Sequence, residues 1–326
     1  MPDTMSRKLG LRPALPRDMR RRLSLSKYVT ACPPPPATCD FTGAIQNWLM
    51  LANDSLGDCG PAAMFHGRMS KIAFDLKKVV SPTDDEVIKF YSAAGGYVPG
   101  RPSTDGGVDN PTMLSVAQKE GITLGGVTTL MGPYATVVPD GGSPWQATAQ
   151  TGIAYLQGAL IGVNLPNDWY QSYGPGNVWD VTNSAIVGGH DLWCIGYNAT
   201  GPVIITWGQP TQCTWAGIAQ NATDINCIAD QTDEISPTTG CTGDGINLAA
   251  WTADVQAITG QPPVLPPSPP SPPNPSGPTH RGIEIAGRLA AHHLLGHFDL
   301  VNGVLDAARR EIDHYEIKQA VYPPKA

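Results

Sequence analysis

The sequence predicts an α+β fold in which a helical half precedes a β-rich half, with a cleft between the two halves. Residues 59–121 carry repeated helix-start signals, whereas residues 159–207 contain three runs rich in β-branched and aromatic residues. The 326 residues, 41% of them hydrophobic, are enough to bury a sizeable core. Because ligands usually bind in concave surfaces, we expect the active site in this cleft.

Helix-start signals mark four segments in the first half of the chain. Thr83 is followed three residues later by Glu86, the pattern of a capping box, and Asn110-Pro111 has the residue types of a cap and a first turn. Gly121 then indicates an exit from helix to strand. The predicted helices cover residues 59–78, 83–93, 110–121 and 143–157.

Strand patterns follow the last of these helices. The three predicted strands cover residues 159–165, 191–197 and 203–207, and two more helices are expected within 210–259. The Asp and Gly residues of 241–245 indicate a turn, and the alternating acids of a calcium loop are missing.

Composition divides the chain into four parts. Residues 1–44 form a basic, proline-rich N-terminal arm, 45–260 the main domain, 261–278 a polyproline linker with ten prolines, and 279–326 a helical C-terminal segment. The net charge of −7 gives the main domain no nucleic-acid signature. The arm could contact nucleic acid, an acidic partner or its own protein, or it could stay solvated.

The C-terminal segment carries an apolar stripe at helical spacing, formed by Val301, Val304, Leu305, Ala308, Ile312 and Tyr315. So short a segment cannot bury the stripe alone, so we expect it to dock on a partner chain or on a second copy of itself. His292, His293 and His297 lack the glutamate of a zinc motif and an evident third ligand. No metal and no cofactor are therefore expected.

Targeting signals and cysteine usage indicate an intracellular origin. No apolar stretch resembles a signal peptide or a membrane span, so we expect synthesis in the cytoplasm and no membrane contact. The seven cysteines show no metal-binding spacing, and free thiols are the default in a reducing compartment.

One cysteine stands at a position suited to catalysis. Cys59 falls where the first predicted helix begins, and Pro61 suits the first turn of that helix. Backbone N–H groups without an intrahelical acceptor, together with the positive end of the helix dipole, stabilise a thiolate there. The alternative is that Cys59 is only a small buried residue.

A histidine and an amide complete the candidate site. His190 follows Gly188-Gly189 and is predicted to open an apolar strand. A cysteine and a histidine form the arrangement in which an imidazole takes the thiol proton and later protonates the leaving amine. Asn53 lies six residues before Cys59, and its amide could donate to an oxyanion.

Over residues 45–210 the sequence resembles the papain-like cysteine peptidases. The resemblance rests on Asn53 and Cys59, at the spacing where the family has a glutamine and its nucleophile, and on three further motifs: Gly106-Gly107 before a helix, Gly189-His190-Asp191-Leu192, and Thr206-Trp207-Gly208. The run Asp58-Cys59-Gly60-Pro61-Ala62-Ala63 also resembles bacteriocin-processing cysteine peptidases. The whole arrangement is similar to uncharacterised papain-like proteins of bacteria and tailed phages.

This resemblance implies a hydrolase that cleaves peptide or isopeptide bonds in a peptide or protein substrate. It assigns Cys59 as nucleophile, His190 as general base, Asn53 as oxyanion donor and Trp207 as the shield over the imidazole. Where the family has an asparagine that orients the histidine, this chain has Ile205, so that Thr206 or Gln209 is the candidate orienting residue. The alternative function is a weak or inactive papain-like fold used as a structural or binding protein, including a component of a phage virion.

Overall fold

The structure is a computed structural model that describes residues 7–19, 22–139, 144–229 and 244–259. The polyproline linker, the C-terminal segment with its apolar stripe, and the three clustered histidines lie outside the described residues. The expectations for those parts therefore stay predictions, as does the division of the chain into four parts.

Eight α-helices and two short 3-10 helices form within the described residues. The 3-10 helices are Leu25–Lys27 and Pro102–Thr104. The α-helices are α1 (Pro16–Met19), α2 (Cys59–Asp75), α3 (Asp84–Gly95), α4 (Asn110–Lys119), α5 (Trp145–Tyr155), α6 (Asn167–Gln171), α7 (Trp215–Asn221) and α8 (Leu248–Thr259). All four helices predicted in the first half are present, as are two within 210–259.

Local side-chain caps explain where two of these helices begin. The capping box predicted for α3 is confirmed, because Thr83 Oγ1 accepts a hydrogen bond from the Glu86 N–H while the Glu86 carboxylate accepts one from the Thr83 N–H. The cap predicted for α4 was one residue off. Asp109 caps the helix by accepting from Thr112 N–H at 3.0 Å, and Asn110 turns its side chain inward.

The β-rich half is one large sheet of eight strands, mostly antiparallel. Its path runs β4 (Tyr134–Val137), β10 (Ala222–Ile228), β5 (Ala159–Pro166), β7 (Ile186–Tyr197), β8 (Pro202–Thr206), β9 (Gln209–Cys213) and β6 (Val178–Trp179), and β1 (Cys39–Asp40) also pairs with β7. The last pair on the path, β6 with β9, is parallel. A separate hairpin joins β2 (Ile122–Leu124) to β3 (Val127–Thr129).

Strand β7 is longer than the sequence predicted. It begins at Ile186, so His190 lies inside the strand and pairs with Val163 of β5, where we expected it at the strand's start. The reason is that Gly188 and Gly189 continue the antiparallel ladder with β5 instead of breaking it. His190 is consequently held within the ladder that β7 forms with β5.

Two hydrophobic clusters pack on opposite faces of the sheet. Strand β7 alternates between them, because Leu192 and Cys194 belong to one cluster while Trp193 and Ile195 belong to the other. Helix α2 lies on the Trp193 face, where a Cβ on Gly67 would come within 2.6 Å of the indole. Because Gly67 has no side chain, α2 can approach the sheet closely. The start of α2 therefore lies beside β7.

The described residues thus form an α+β fold with a large, mostly antiparallel sheet, and the α+β class is the one that the sequence predicted. Among the described residues, no helix combines the length and apolar character needed to span a bilayer.

Candidate active site

Cys59 is the first residue of α2, as the sequence predicted. Its side chain is buried, with 1% of the residue exposed. The preceding residue, Asp58, makes no side-chain cap to the helix; one of its carboxylate oxygens instead accepts from Asn53 Nδ2 at 3.2 Å. The first-turn N–H groups of α2 are therefore not occupied by a capping side chain, which leaves them directed toward the region around the sulfur.

His190 is held by two residues of the neighbouring turn. Its Nε2 hydrogen-bonds Thr206 Oγ1 at 2.7 Å, and its ring stacks on Trp207 with centroids 4.3 Å apart and planes 21° from parallel. Of the two candidate orienting residues, the structure therefore pairs Thr206 with the imidazole, while Gln209 is exposed. The described residues give the other ring nitrogen, Nδ1, no hydrogen-bond partner.

Asn53 lies at the end of a turn with unusual backbone conformations. Leu49, Leu51 and Ala52 all have positive φ angles, between 58° and 64°. Such conformations are costly for residues with side chains and tend to persist at functional sites. Trp207 shares the feature with φ of 45°. The sequence carried no signal of this strain, because none of these four residues is a type that favours positive φ.

Residues 7–12 of the N-terminal arm, here called the cleft segment, lie across this site. At one end, Lys8 N–H donates to Asn53 O at 2.9 Å, and Asn53 Nδ2 donates back to Lys8 O at 3.3 Å. At the other end, Arg12 N–H donates to Val108 O at 3.1 Å, and Leu11 N–H donates to Gly189 O at 3.2 Å. The segment is therefore bound through its backbone to both halves of the molecule.

Glycines make room for this segment. A Cβ on Gly10 would collide with the carbonyl of Gly57, one on Gly107 with the carbonyl of Gly10, and one on Gly189 with the carbonyl of Leu11. Only residues without side chains allow so close an approach of two backbones. The sequence left open what the basic arm contacts. In the structure, residues 7–12 of the arm contact the rest of the same chain.

Burial keeps both Cys59 and His190 uncharged in the covered site. Burial raises the pKa of Cys59 well above the usual range of a thiol, and the Asp191 carboxyl adds to the shift, although the backbone groups of Asp191 and Gly10 oppose it. Burial, followed by the charge of Arg7, lowers the pKa of His190 to about 3. At neutral pH the Cys59 thiol and the His190 imidazole are therefore both uncharged while the cleft segment is in place.

A buried polar network lies beneath the site. Asn110 Nδ2 donates to Asp191 Oδ1 at 3.0 Å and to Asp224 Oδ1 at 3.1 Å, and Asp224 forms an ion pair with Arg22 at 2.6 Å. Burial, followed by the nearby Asp224 charge, raises the pKa of Asp191 well above its ordinary value. Sequence reasoning missed this network, whose members lie up to 202 positions apart. It ties the start of α4 to the sheet next to His190.

The cysteines form no disulfide within the described residues. Six cysteines fall in the described residues and all six are free thiols. Within those same residues, no three His, Cys, Asp or Glu side chains come together as a metal site would require.

Solved structures with a similar fold are cysteine proteases. Xylellain, a cysteine protease from Xylella fastidiosa, aligns with 71% of this chain and 99% of its own at 15% identity and a TM-score of 0.51. Digestive procathepsin L 3 of Tenebrio molitor aligns with 69% of this chain and 76% of its own at 15% identity and a TM-score of 0.48. No protein-family model and no curated protein sequence matches the chain. The chain therefore has the papain-like cysteine peptidase fold.

Proposed function

We propose that this protein is a cysteine peptidase that cleaves peptide or isopeptide bonds, with Cys59 as nucleophile and His190 as general base. The observation that carries the proposal is the set of contacts around His190. The ring is fixed by Thr206 and Trp207, and its Nδ1 has no partner among the described residues. The next residue, Asp191, lies against the start of α2, because a Cβ on Gly60, the neighbour of Cys59, would come within 2.9 Å of its Oδ2. This arrangement suits transfer of the thiol proton to the imidazole.

The proposed chemistry follows from these positions. When Nε2–H donates to Thr206 Oγ1, the basic nitrogen of the neutral imidazole is Nδ1, which takes the proton of Cys59. The thiolate attacks the substrate carbonyl, and the imidazolium returns the proton to the leaving amine. Water then hydrolyses the thioester with His190 again acting as base. Trp207 covers one face of the ring and keeps water from it.

Asn53 is the proposed oxyanion donor, supported by its contact with the cleft segment. Its Nδ2 already donates to a main-chain carbonyl there, that of Lys8, at 3.3 Å. The amide can therefore reach the carbonyl of a chain lying in the cleft, even though asparagine is one methylene shorter than glutamine. The first N–H groups of α2 would supply the other donors to the oxyanion.

Catalysis requires the cleft segment to leave, because it covers Cys59 and keeps both reacting groups neutral. A Gly10→Val chain provides this open form, since a side chain at residue 10 collides with the Gly57 backbone. The experiments below use that chain, and we call it the open chain.

The pH dependence of alkylation tests the function directly. In the open chain, water reaches the site and the Arg7 charge departs, so the two causes that lower the His190 pKa are removed. A thiolate–imidazolium pair then keeps iodoacetamide labelling of Cys59 fast down to about pH 5. An unassisted thiol would instead lose about tenfold in rate per pH unit below its pKa near 8.5.

The same experiment separates the peptidase from a catalytically inactive structural or binding module. His190→Ala in the open chain should remove the fast labelling at low pH, so that the labelling rate falls with pH as it does for an unassisted thiol. Mass spectrometry identifies the labelled residue. An open chain that already behaves as an unassisted thiol would contradict the proposal and favour the binding-module alternative, including a virion component.

Thr206 provides a test of imidazole orientation. Thr206→Val in the open chain should lower kcat for peptide hydrolysis about 10²-fold with little change in KM, because Nε2 loses its partner and the ring loses its preferred tautomer. Thr206→Ser retains the hydroxyl and should stay within a few-fold of the parent. Equal rates for the valine and serine variants would exclude Thr206 as the orienting residue.

A further inference from the structure

The side chain of Arg7, at the start of the cleft segment, lies among three aromatic rings. Its guanidinium carbon lies 4.3 Å from the ring centroid of Tyr170, 4.7 Å from that of Tyr173 and 5.2 Å from that of Trp207. These distances are within the range of cation–π interactions. The three rings are here called the aromatic cage.

The charge of Arg7 is met by these rings rather than by an acid. Within the described residues, Nη1 of Arg7 is buried and has no hydrogen-bond acceptor, and no carboxylate forms an ion pair with the guanidinium. The Tyr170 hydroxyl also donates a hydrogen bond to the backbone oxygen of Arg7 at 3.3 Å. The ring faces therefore supply the electrostatic attraction.

The aromatic cage is held in shape by contacts that do not involve Arg7. Tyr170 and Tyr173 stand nearly perpendicular to the Trp207 ring, with interplanar angles of 85° and 70°. Behind them, Asn177 Nδ2 donates to Tyr173 O and Trp179 Nε1 donates to Ser172 O, both at 2.6 Å. A site preformed in this way loses little freedom when a cation binds.

We propose that the aromatic cage is a binding site for the arginine side chain of a peptide lying in the cleft. Arg7 fills it while the cleft segment is in place, and an arginine of the substrate takes it once the segment leaves. This proposal rests on the proposed function for the identity of the incoming peptide. A guanidinium fits better than an ammonium, because it is planar, stacks on aromatic faces and is more weakly hydrated.

The cage also lies next to the proposed general base. Trp207 contacts both the guanidinium and the His190 ring, which stacks on it at 4.3 Å. A peptide that places its arginine in the cage therefore has its backbone within reach of the reacting groups. In this structure the backbone of Lys8, the next residue, contacts Asn53.

Peptide binding to an inactive open chain tests the cage without requiring catalysis. The protein is the full chain with Gly10→Val and Cys59→Ala, and the probe is the hexapeptide Arg-Lys-Leu-Gly-Leu-Arg, which repeats residues 7–12. Replacing its first arginine by citrulline, which has the same shape without the charge, should weaken binding about tenfold in calorimetry. The same replacement at the last arginine is the matched control, since Arg12 is exposed and should have no effect.

A cage variant completes the test. Tyr173→Leu should remove the preference for arginine over citrulline at the first position while leaving the contribution of the peptide backbone. Equal binding of the two peptides to the parent chain would overturn the proposal, as would failure of the arginine peptide to bind at all. Neither result bears on hydrolysis, which the Cys59 and His190 experiments measure separately.

Discussion

Gly10→Val is expected to raise the alkylation rate of Cys59 at neutral pH about 10³-fold, because it removes the segment that buries the sulfur. With the segment in place, Cys59 is 1% exposed and its pKa is raised by burial, so almost no thiolate exists. Each pKa unit recovered multiplies the thiolate fraction tenfold. Valine cannot be accommodated by movement of the wall, since Gly57 N–H is anchored to Asp105 Oδ1 at 2.9 Å.

The matched control for this prediction is Gly106→Val. Gly106 lies near the same cleft, but a Cβ there would meet no atom within 4 Å and its φ is not left-handed. Its labelling rate should therefore equal that of the unaltered chain. Thermal unfolding of both variants checks that labelling reports an open cleft rather than a loosened fold. Slow labelling of Gly10→Val, in a chain that remains folded, would mean that the segment does not control access to Cys59.

The parts of the fold that were predictable have short-range causes. The start of α2 at Cys59 and the capping box at Thr83 follow from residue types within one helical turn. The strands β5 and β8 likewise follow from runs of β-branched residues. The start of β7 was misjudged because two glycines, which usually interrupt a strand, here continue a ladder that β5 imposes from outside.

The parts that were not predictable depend on contacts between distant segments. The cleft segment fits because Gly57, Gly107 and Gly189 leave gaps on three separate elements, and no local pattern around residues 7–12 indicates that they face those gaps. The network of Asp191, Asn110 and Asp224 was also not predictable from local sequence. Each of these residues, taken alone, resembles an ordinary polar surface position. Both features depend on how distant segments of the chain fit together, and a local sequence pattern does not report this fit.

The cleft segment couples access to the site with the reactivity of Cys59 and His190. Arg7 fills the aromatic cage and also lowers the pKa of His190, while Gly10 packs against the backbone of Gly57, two residues before Cys59. The same six residues therefore exclude substrate and suppress the thiolate–imidazolium pair. Removal of the segment reverses both effects together, so we expect access and reactivity to appear at the same time.

Cys59→Ala in the open chain is expected to abolish peptide hydrolysis, with a loss of about 10⁴-fold or more in kcat. Cys59 is the nucleophile of the proposed mechanism. Three other cysteines of the described residues, Cys194, Cys213 and Cys227, are fully buried in the hydrophobic cluster on one face of the sheet. Cys213→Ala is the matched control: it removes the same atom from a buried thiol away from the cleft and should leave kcat unchanged. Hydrolysis would be followed by mass spectrometry of the products of an unfolded protein substrate, with circular dichroism to verify the fold of each variant. Retained turnover in Cys59→Ala would show that the hydrolysis does not proceed through this thiol, and the assignment of Cys59 as nucleophile would then be wrong.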